Sequence, residues 1–337
     1  MSSRTLVLIE IALFLGALFL ILQIAGFSFD LSGGGGDDTI AAGGDVDDGA
    51  SGDPPAKDEG PTSDSTTPPL VTSRPDQQEC GPPVDGEFFI GNQVLSYYGS
   101  PHSQLLGILG ELQPQELVDR LREHAALYDE LNGPRGVQPA FHIVYALAQN
   151  YPGEDGLYLR HVDEQTLQTY IDVACRNKLL VFLDLQIGRS EVKTEIERVI
   201  PFLRRSHVHL ALDPEFAVAA GEVPGESIGS LDAEDINLAQ RLLQELVERE
   251  GLPDKVLIVH QFDDSMITDK EMIEDFPRVR FVIDMDGLGP KEVKQTKYQW
   301  YAAPAEYSGI KLFFRQDVDL MDERDVLKLR PNVIIYQ

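Results

Sequence analysis

Eight short apolar runs, each separated from the next by a stretch of helical or turn character, predict an α/β chain closed into a (β/α)8 TIM-like barrel. Three observations carry that expectation. The alternation fills residues 86–337, about the 250 residues that such a barrel takes. In the run His207–Phe216, HVHLALDPEF, residues two apart share a face. Val208, Leu210 and Leu212 then make an aliphatic face, while His209, Ala211, Asp213 and Glu215 make one that is small in the middle and acidic at its end. Finally, no GxGxxG follows the first strand, which counts against a doubly wound open sheet.

The chain opens with a short N-terminal piece, residues 1–5, and an almost unbroken apolar run over 6–27, LVLIEIALFLGALFLILQIAGF. That run is long enough to cross a bilayer as one helix. Arg4 precedes it and Asp30, Asp37 and Asp38 follow, so the positive-inside rule places the remainder outside the cytoplasm. The expectation is a single-pass signal anchor in the cell membrane with an extracytoplasmic C-terminal domain. A cleaved signal peptide is the alternative, but the run exceeds a usual h-region and no clean A-x-A site follows. Residues 28–85 are rich in Gly, Pro, Ser, Thr and Asp and poor in large apolar residues. Such a segment cannot bury enough surface to offset its ordering entropy, so it reads as a disordered acidic linker. Cys80 falls in it, free or paired between chains, whereas Cys175 falls in an expected helix and reads as core.

Gln93–Gly99 is the first strand, and Pro114–Leu131 is an amphipathic helix opened by proline and stopped by Asn132-Gly133. Ala140–Ala146 is the second strand. Asp163 caps a helix carrying Leu167, Tyr170, Ile171 and Ala174 at helical spacing. Leu179–Gln186 is the third strand, and Ser190 is expected to cap a helix running to Arg205 and bent at Pro201. The His207–Phe216 run is the fourth. A helix from Asp232 to Glu250 ends at Gly251, and Lys255–Phe262 is the fifth strand. Thr268-x-x-Glu271 reads as a capping box on a short helix. Arg280–Asp286 is the sixth strand, followed by a helix from Pro290 that includes Trp300. Ile310–Arg315 is the seventh. A short helix, Asp322 to Leu329, leads to the eighth, Asn332–Gln337. No helix follows it, so the barrel is either covered there by the segment before the first strand or partly open.

The strand ends carry the candidate chemistry. Asp184 and Gln186, Asp213 and Glu215, and Asp284 and Asp286 each fall two apart, opposite aliphatic faces. Carboxylates held together raise one another's pKa, which a carboxylic acid needs if it is to keep its proton near neutrality. A protonated and an ionised carboxyl together are the machinery of glycoside hydrolysis. Glu215 is the expected acid, Asp213 the group that orients or tunes it, and Asp184 or Asp284 the partner. Tyr98 and Tyr336 are placed to stack on sugar rings. Gln186, Asp286, His260, Gln261 and Arg315 are placed to hold hydroxyls or an anionic group. The expected ligand or substrate is thus an envelope or environmental polysaccharide. The alternatives are a non-catalytic glycan- or envelope-binding barrel and a metal-dependent hydrolase. No cofactor and no metal ligand set is assigned. His207-x-His209 sits at the wrong end of its strand, and His142 is mid-strand and reads as core. The net charge of −28 excludes a nucleic-acid backbone as partner.

The ending Asp213-Pro214-Glu215 resembles the chitinase-like barrels, whose fourth strand ends D-x-x-D-x-D-x-E. Val208 and Ala211 stand where that family has its other aspartates, so the resemblance does not imply its substrate-assisted chemistry. The region Gln93–Gln337 is also similar to a set of uncharacterised bacterial cell-surface barrel proteins. The similarity lies in LSYYGSPHSQLLGILGE, LDLQIGR, LALDPEF, IVHQF and DMDG. It implies an exported, glycoside-hydrolase-like barrel and no established reaction.

Overall fold

The computed structural model of the protein describes residues 80–337. The expected membrane helix at 6–27, and the linker as far as residue 79, lie outside them. Among the described residues no helix is long and apolar enough to cross a membrane. In chain order the strands are β1 (Asn92–Gly99), β2 (Gly136–Ala148), β3 (Leu159–His161), β4 (Leu180–Leu185), β5 (Val208–Leu212), β6 (Leu231–Asp232), β7 (Lys255–His260), β8 (Ile267–Thr268), β9 (Val279–Met285), β10 (Tyr307–Leu312) and β11 (Val333–Tyr336). The helices are α1 (Phe88–Gly91), α2 (Pro114–Leu131), α3 (Glu164–Arg176), α4 (Val192–Leu203), α5 (Ala233–Glu250), α6 (Lys291–Tyr301) and α7 (Glu323–Leu329).

The main sheet runs β1-β11-β10-β9-β7-β5-β4-β2-β3, and β1 also pairs with β2, which closes the cylinder. All pairings are parallel except β2 with β3, a short antiparallel return. Eight parallel strands thus form the expected barrel. Closure is direct, with Val94 opposite Val333 and Tyr97 opposite Tyr336, so the sheet is not open at its last strand.

Two apolar shells follow from the alternation of the strands. Leu95, Phe141, Leu183, Leu210, Val259, Ile283 and Ile334 point outward and pack beneath the helices. Val94, Ala140, Phe182, Ala211, Ile258, Val282 and Ile335 point inward and fill the lower barrel. Val84, Phe88 and Phe89 join the inner shell, and the Phe89 ring packs 4.8 Å from that of Tyr307 at the start of β10. The segment before β1 therefore plugs the N-terminal end of the barrel and leaves the other end for the site.

The helix signals hold where a side chain or glycine serves the backbone. Asp163 accepts from the Thr166 amide at the start of α3, and Gly251 takes φ 66° at the end of α5, where a residue with a Cβ would be strained. Others differ. Ser190 does not cap α4, because its hydroxyl donates to Glu195 Oε1 at 2.7 Å, and the helix ends at Leu203 with Pro201 in its last turn. The capping box expected at Thr268 does not form. Thr268 is committed to a backbone pairing with Asp232, and only two short 3-10 turns cross from β7 to β9.

Cys80 is neither free nor paired between chains: it forms a disulfide with Cys175 of α3, 95 residues away. Residues 80–84, expected as linker, come back to the barrel instead. Val84 is buried, and its carbonyl accepts from the Asp254 amide at 2.9 Å.

Candidate active site

At the C-terminal end of the barrel the inward positions turn from aliphatic to charged. β4 presents Asp184 and then Gln186, β5 is followed by Asp213 and Glu215, β7 ends in His260, and β9 presents Asp284 and then Asp286. All are buried, with Glu215 and Asp286 each 4% exposed. The structure thus brings together seven of the residues singled out in the sequence, and Tyr98 of β1 joins them.

His260 is the hub. Its Nδ1 lies 3.0 Å from Asp284 Oδ2 and its Nε2 lies 3.2 Å from Asp184 Oδ2. Asp286 Oδ2 is 3.6 Å from the same Nδ1 and 3.9 Å from Lys311 Nζ. That lysine crosses the Tyr98 ring, with Nζ 3.6 Å from its centre. The Tyr98 ring also packs against His142, 5.0 Å between centres, and edge-on against His260. Gln186 accepts from the Ala148 amide at 3.0 Å and donates to Asp213 Oδ2 at 3.4 Å, tying the end of β2 to the acidic turn after β5. Gly309 of β10 makes room for this cluster, since a Cβ there would come within 2.5 Å of Asp284 Oδ1.

Three of the expected residues are elsewhere. Tyr336 sits on the outward face of β11, one residue beyond the inward Ile335. Its hydroxyl meets that of Tyr128 in α2 at 2.8 Å, and its ring packs on His124 and Phe314. Gln261 follows the inward His260 and so turns outward, where its Oε1 accepts from Lys270 Nζ at 2.6 Å. Arg315 lies past the end of β10, mostly exposed, and pairs with Glu111 at 2.9 Å. Two inward residues were missed. His142 is core as expected, but in the inner shell beside Asp184. Lys311 is a lone charge between Ile310 and Leu312, and a lysine inside so apolar a strand was the signal for it. His207 and His209 lie at the opposite end, bonded to the Ile171 carbonyl and the Val256 amide.

Burial and mutual charge set the protonation pattern. Burial opposes an ionised Asp184, yet the adjoining His260 and His142 hold its carboxyl well below the usual carboxylate range. Burial likewise opposes a charged His260, but the charge of Asp184 and the hydrogen bonds His260 donates to Asp184 and Asp284 push it well above its ordinary value. His142 is held down by burial and stays neutral. Burial, then the charges of Asp213 and Asp286, push Glu215 well above the carboxylate range. Burial is also the main cause that lifts Asp213 to about 7, with Asp286 and Asp184 adding and His260 opposing. The site therefore combines a proton-holding carboxyl pair after β5 with an ion network beneath it. A neighbouring buried pair braces the rim. Lys294 of α6 donates to Asp317 Oδ1 at 3.0 Å and to the Gly287 carbonyl at 2.8 Å, and Asp317 Oδ2 accepts from the Phe313 amide.

No protein-family model matches this sequence, and no curated protein matches it. Among solved structures, the chain is similar to a hyperthermophilic endo-β-1,4-glucanase in complex with substrate, at 9% identity and a TM-score of 0.39. That match covers 74% of this chain and 90% of the other. Thermotoga maritima Cel5A in complex with cellobiose matches at 11% identity and 0.36, over 74% and 89%. A sugar phosphate isomerase/epimerase from Parabacteroides distasonis matches at 12% and 0.34, over 73% and 86%. The similarity is weak and one of backbone course, and the class defined by fold and site is an α/β barrel with a buried acidic mouth.

Proposed function

We propose that the protein is a membrane-anchored, extracytoplasmic barrel hydrolase that cleaves glycosidic bonds in an envelope or environmental polysaccharide. The observation that carries this reading is the pairing, in one mouth, of a Glu215 carboxyl that keeps its proton and an Asp286 carboxyl that burial also raises but that His260 and Lys311 pull back toward ionisation. Of the two, Glu215 holds its proton more firmly and is assigned as the acid, and Asp286, beside the two cations, as the partner that ionises. Glu215 donates its proton to the departing glycosidic oxygen as the bond to the anomeric carbon breaks. Asp286 stabilises the positive charge left on that carbon. Water supplies the incoming hydroxyl, and its proton restores Glu215. Asp213 raises the proton affinity of Glu215, and Asp184 and Asp284 hold His260 in place below. The extracytoplasmic placement draws support from the disulfide, which persists in oxidising compartments, and from the apolar run at 6–27.

The near-complete burial of the carboxyls favours a second reading, a non-catalytic barrel that binds a glycan or envelope partner on its rim. One assay separates the two. The purified chain and Glu215→Gln are compared on a polysaccharide panel and on aryl glycosides with good leaving groups. Loss of the acid should slow polysaccharide cleavage about 10²- to 10⁴-fold and affect activated aryl glycosides far less. Equal activity of both proteins on polysaccharide contradicts the acid role. Silence of the wild type with measurable glycan binding establishes the binding barrel.

A further inference from the structure

The network beneath the mouth has a feature that acid-base chemistry leaves unexplained. His142 is fully buried; its Nδ1 has no hydrogen-bond partner, and its Nε2 lies 3.3 Å from Asp184 Oδ2 without forming a well-aligned hydrogen bond. Buried polar atoms are nearly always partnered, so such a ring calls for a reason.

We propose that His142 Nε2, His260 Nε2 and Asp184 Oδ2 bind one divalent cation of the zinc class. The three side chains offer ligand atoms that all lie within 4.8 Å of one another. Asp184 Oδ2 is the common vertex, at 3.2 Å from His260 Nε2 and 3.3 Å from His142 Nε2. Ligand bonds of about 2.0–2.1 Å in tetrahedral geometry place neighbouring donors roughly 3.3 Å apart, which these separations match. The second layer is also present. His260 Nδ1 faces Asp284 Oδ2 at 3.0 Å, the carboxylate–histidine pairing that turns the other nitrogen of a ligating imidazole toward its metal.

Unpartnered acceptors point the same way. Five carboxyl groups, Asp184, Asp213, Glu215, Asp284 and Asp286, share this interior with Lys311, the His260 ring and, already paired with Asp317 beside them, Lys294. Asp184, Asp213, Asp284 and Asp286 each keep one oxygen without a partner. A bound cation would take the place of the proton between His260 and Asp184 and supply one more positive charge. Two nitrogens and one oxygen suit a zinc-class ion, whereas magnesium and calcium favour all-oxygen shells. The inference shares His260 and Asp184 with the hydrolase reading, and binding measured without substrate tests it separately.

The test takes the purified full-length chain, stripped by chelator, and titrates it with Zn²⁺ by calorimetry in excess Mg²⁺. One equivalent of Zn²⁺ is expected to bind. His142→Gln should lose that equivalent, and Asp284→Asn should keep it with about 10- to 100-fold weaker affinity. A second measurement needs no variant. Co²⁺-loaded wild type should show two hyperfine-shifted, exchangeable imidazole N–H resonances, one from each ligating histidine. Absence of Zn²⁺ binding, unchanged affinity in a folded His142→Gln, or a Co²⁺ spectrum without histidine signals would each overturn the proposal. The network would then be held by its proton alone.

Discussion

Replacing Asp213 by Asn should stabilise the fold at neutral and alkaline pH, and do so progressively. Burial lifts the Asp213 carboxyl from 3.8 to about 7, so between those values the folded chain holds a proton that the unfolded chain has released. Stability rises with pH only where the unfolded state binds more protons. Here the folded state binds more, so this residue's contribution falls as pH climbs from about 4 to about 7. Each tenfold change in proton affinity is worth about 1.4 kcal/mol, and the rise spans roughly three of them, giving about 4 kcal/mol. Coupling to Glu215 and Asp286 spreads the proton over the group, so about 2–4 kcal/mol is expected for the single replacement. Asn keeps the shape, and Gln186 can still donate to its carbonyl oxygen. Urea unfolding of both proteins from about pH 4 to about pH 8 gives the difference directly. It should be near zero at the acid end and grow to its full size in favour of the variant at the alkaline end. A difference that does not change with pH, or a variant less stable at the alkaline end, refutes the assignment of this carboxyl as a buried proton holder.

Two other perturbations probe what braces the site. Lys294→Met leaves the buried Asp317 charge unpaired and should cost about 3–5 kcal/mol in thermal or urea unfolding, while adding Asp317→Leu should recover much of it. Reducing the Cys80–Cys175 bond opens a 95-residue separation and should cost about 4 kcal/mol, seen as a fall in Tm of roughly 10 °C. Non-reducing peptide mapping that finds both thiols free would contradict that bond.

The parts of the site legible in the sequence are those fixed by the period of the strand. Asp184, Asp213 and Asp284 share faces with small or apolar inward residues of the same strands, and that parity carries over to Gln186, Glu215 and Asp286. Parity stops helping once its reference is lost. Gln261 and Arg315 follow strands that have already ended, at His260 and Leu312, and each turns to a partner outside the barrel. Tyr336 lies within its strand, but its side is set by the closure of β11 against β1, which only three dimensions show. The helical signal at Thr268 was overridden by a tertiary pairing with Asp232. The disulfide was hidden because Cys80 stands in a polar stretch whose return to the barrel depends on Val84, Phe88 and Phe89 finding its open end.

The account depends most on the proton at Glu215, and infrared difference spectroscopy reads it without knowledge of the substrate. At neutral pH the wild-type chain should show the carbonyl stretch of a protonated carboxyl, and that signal should be smaller in Glu215→Gln. A wild-type spectrum with every carboxyl ionised at neutral pH, or the same protonated signal in both proteins, would contradict Glu215 as the acid.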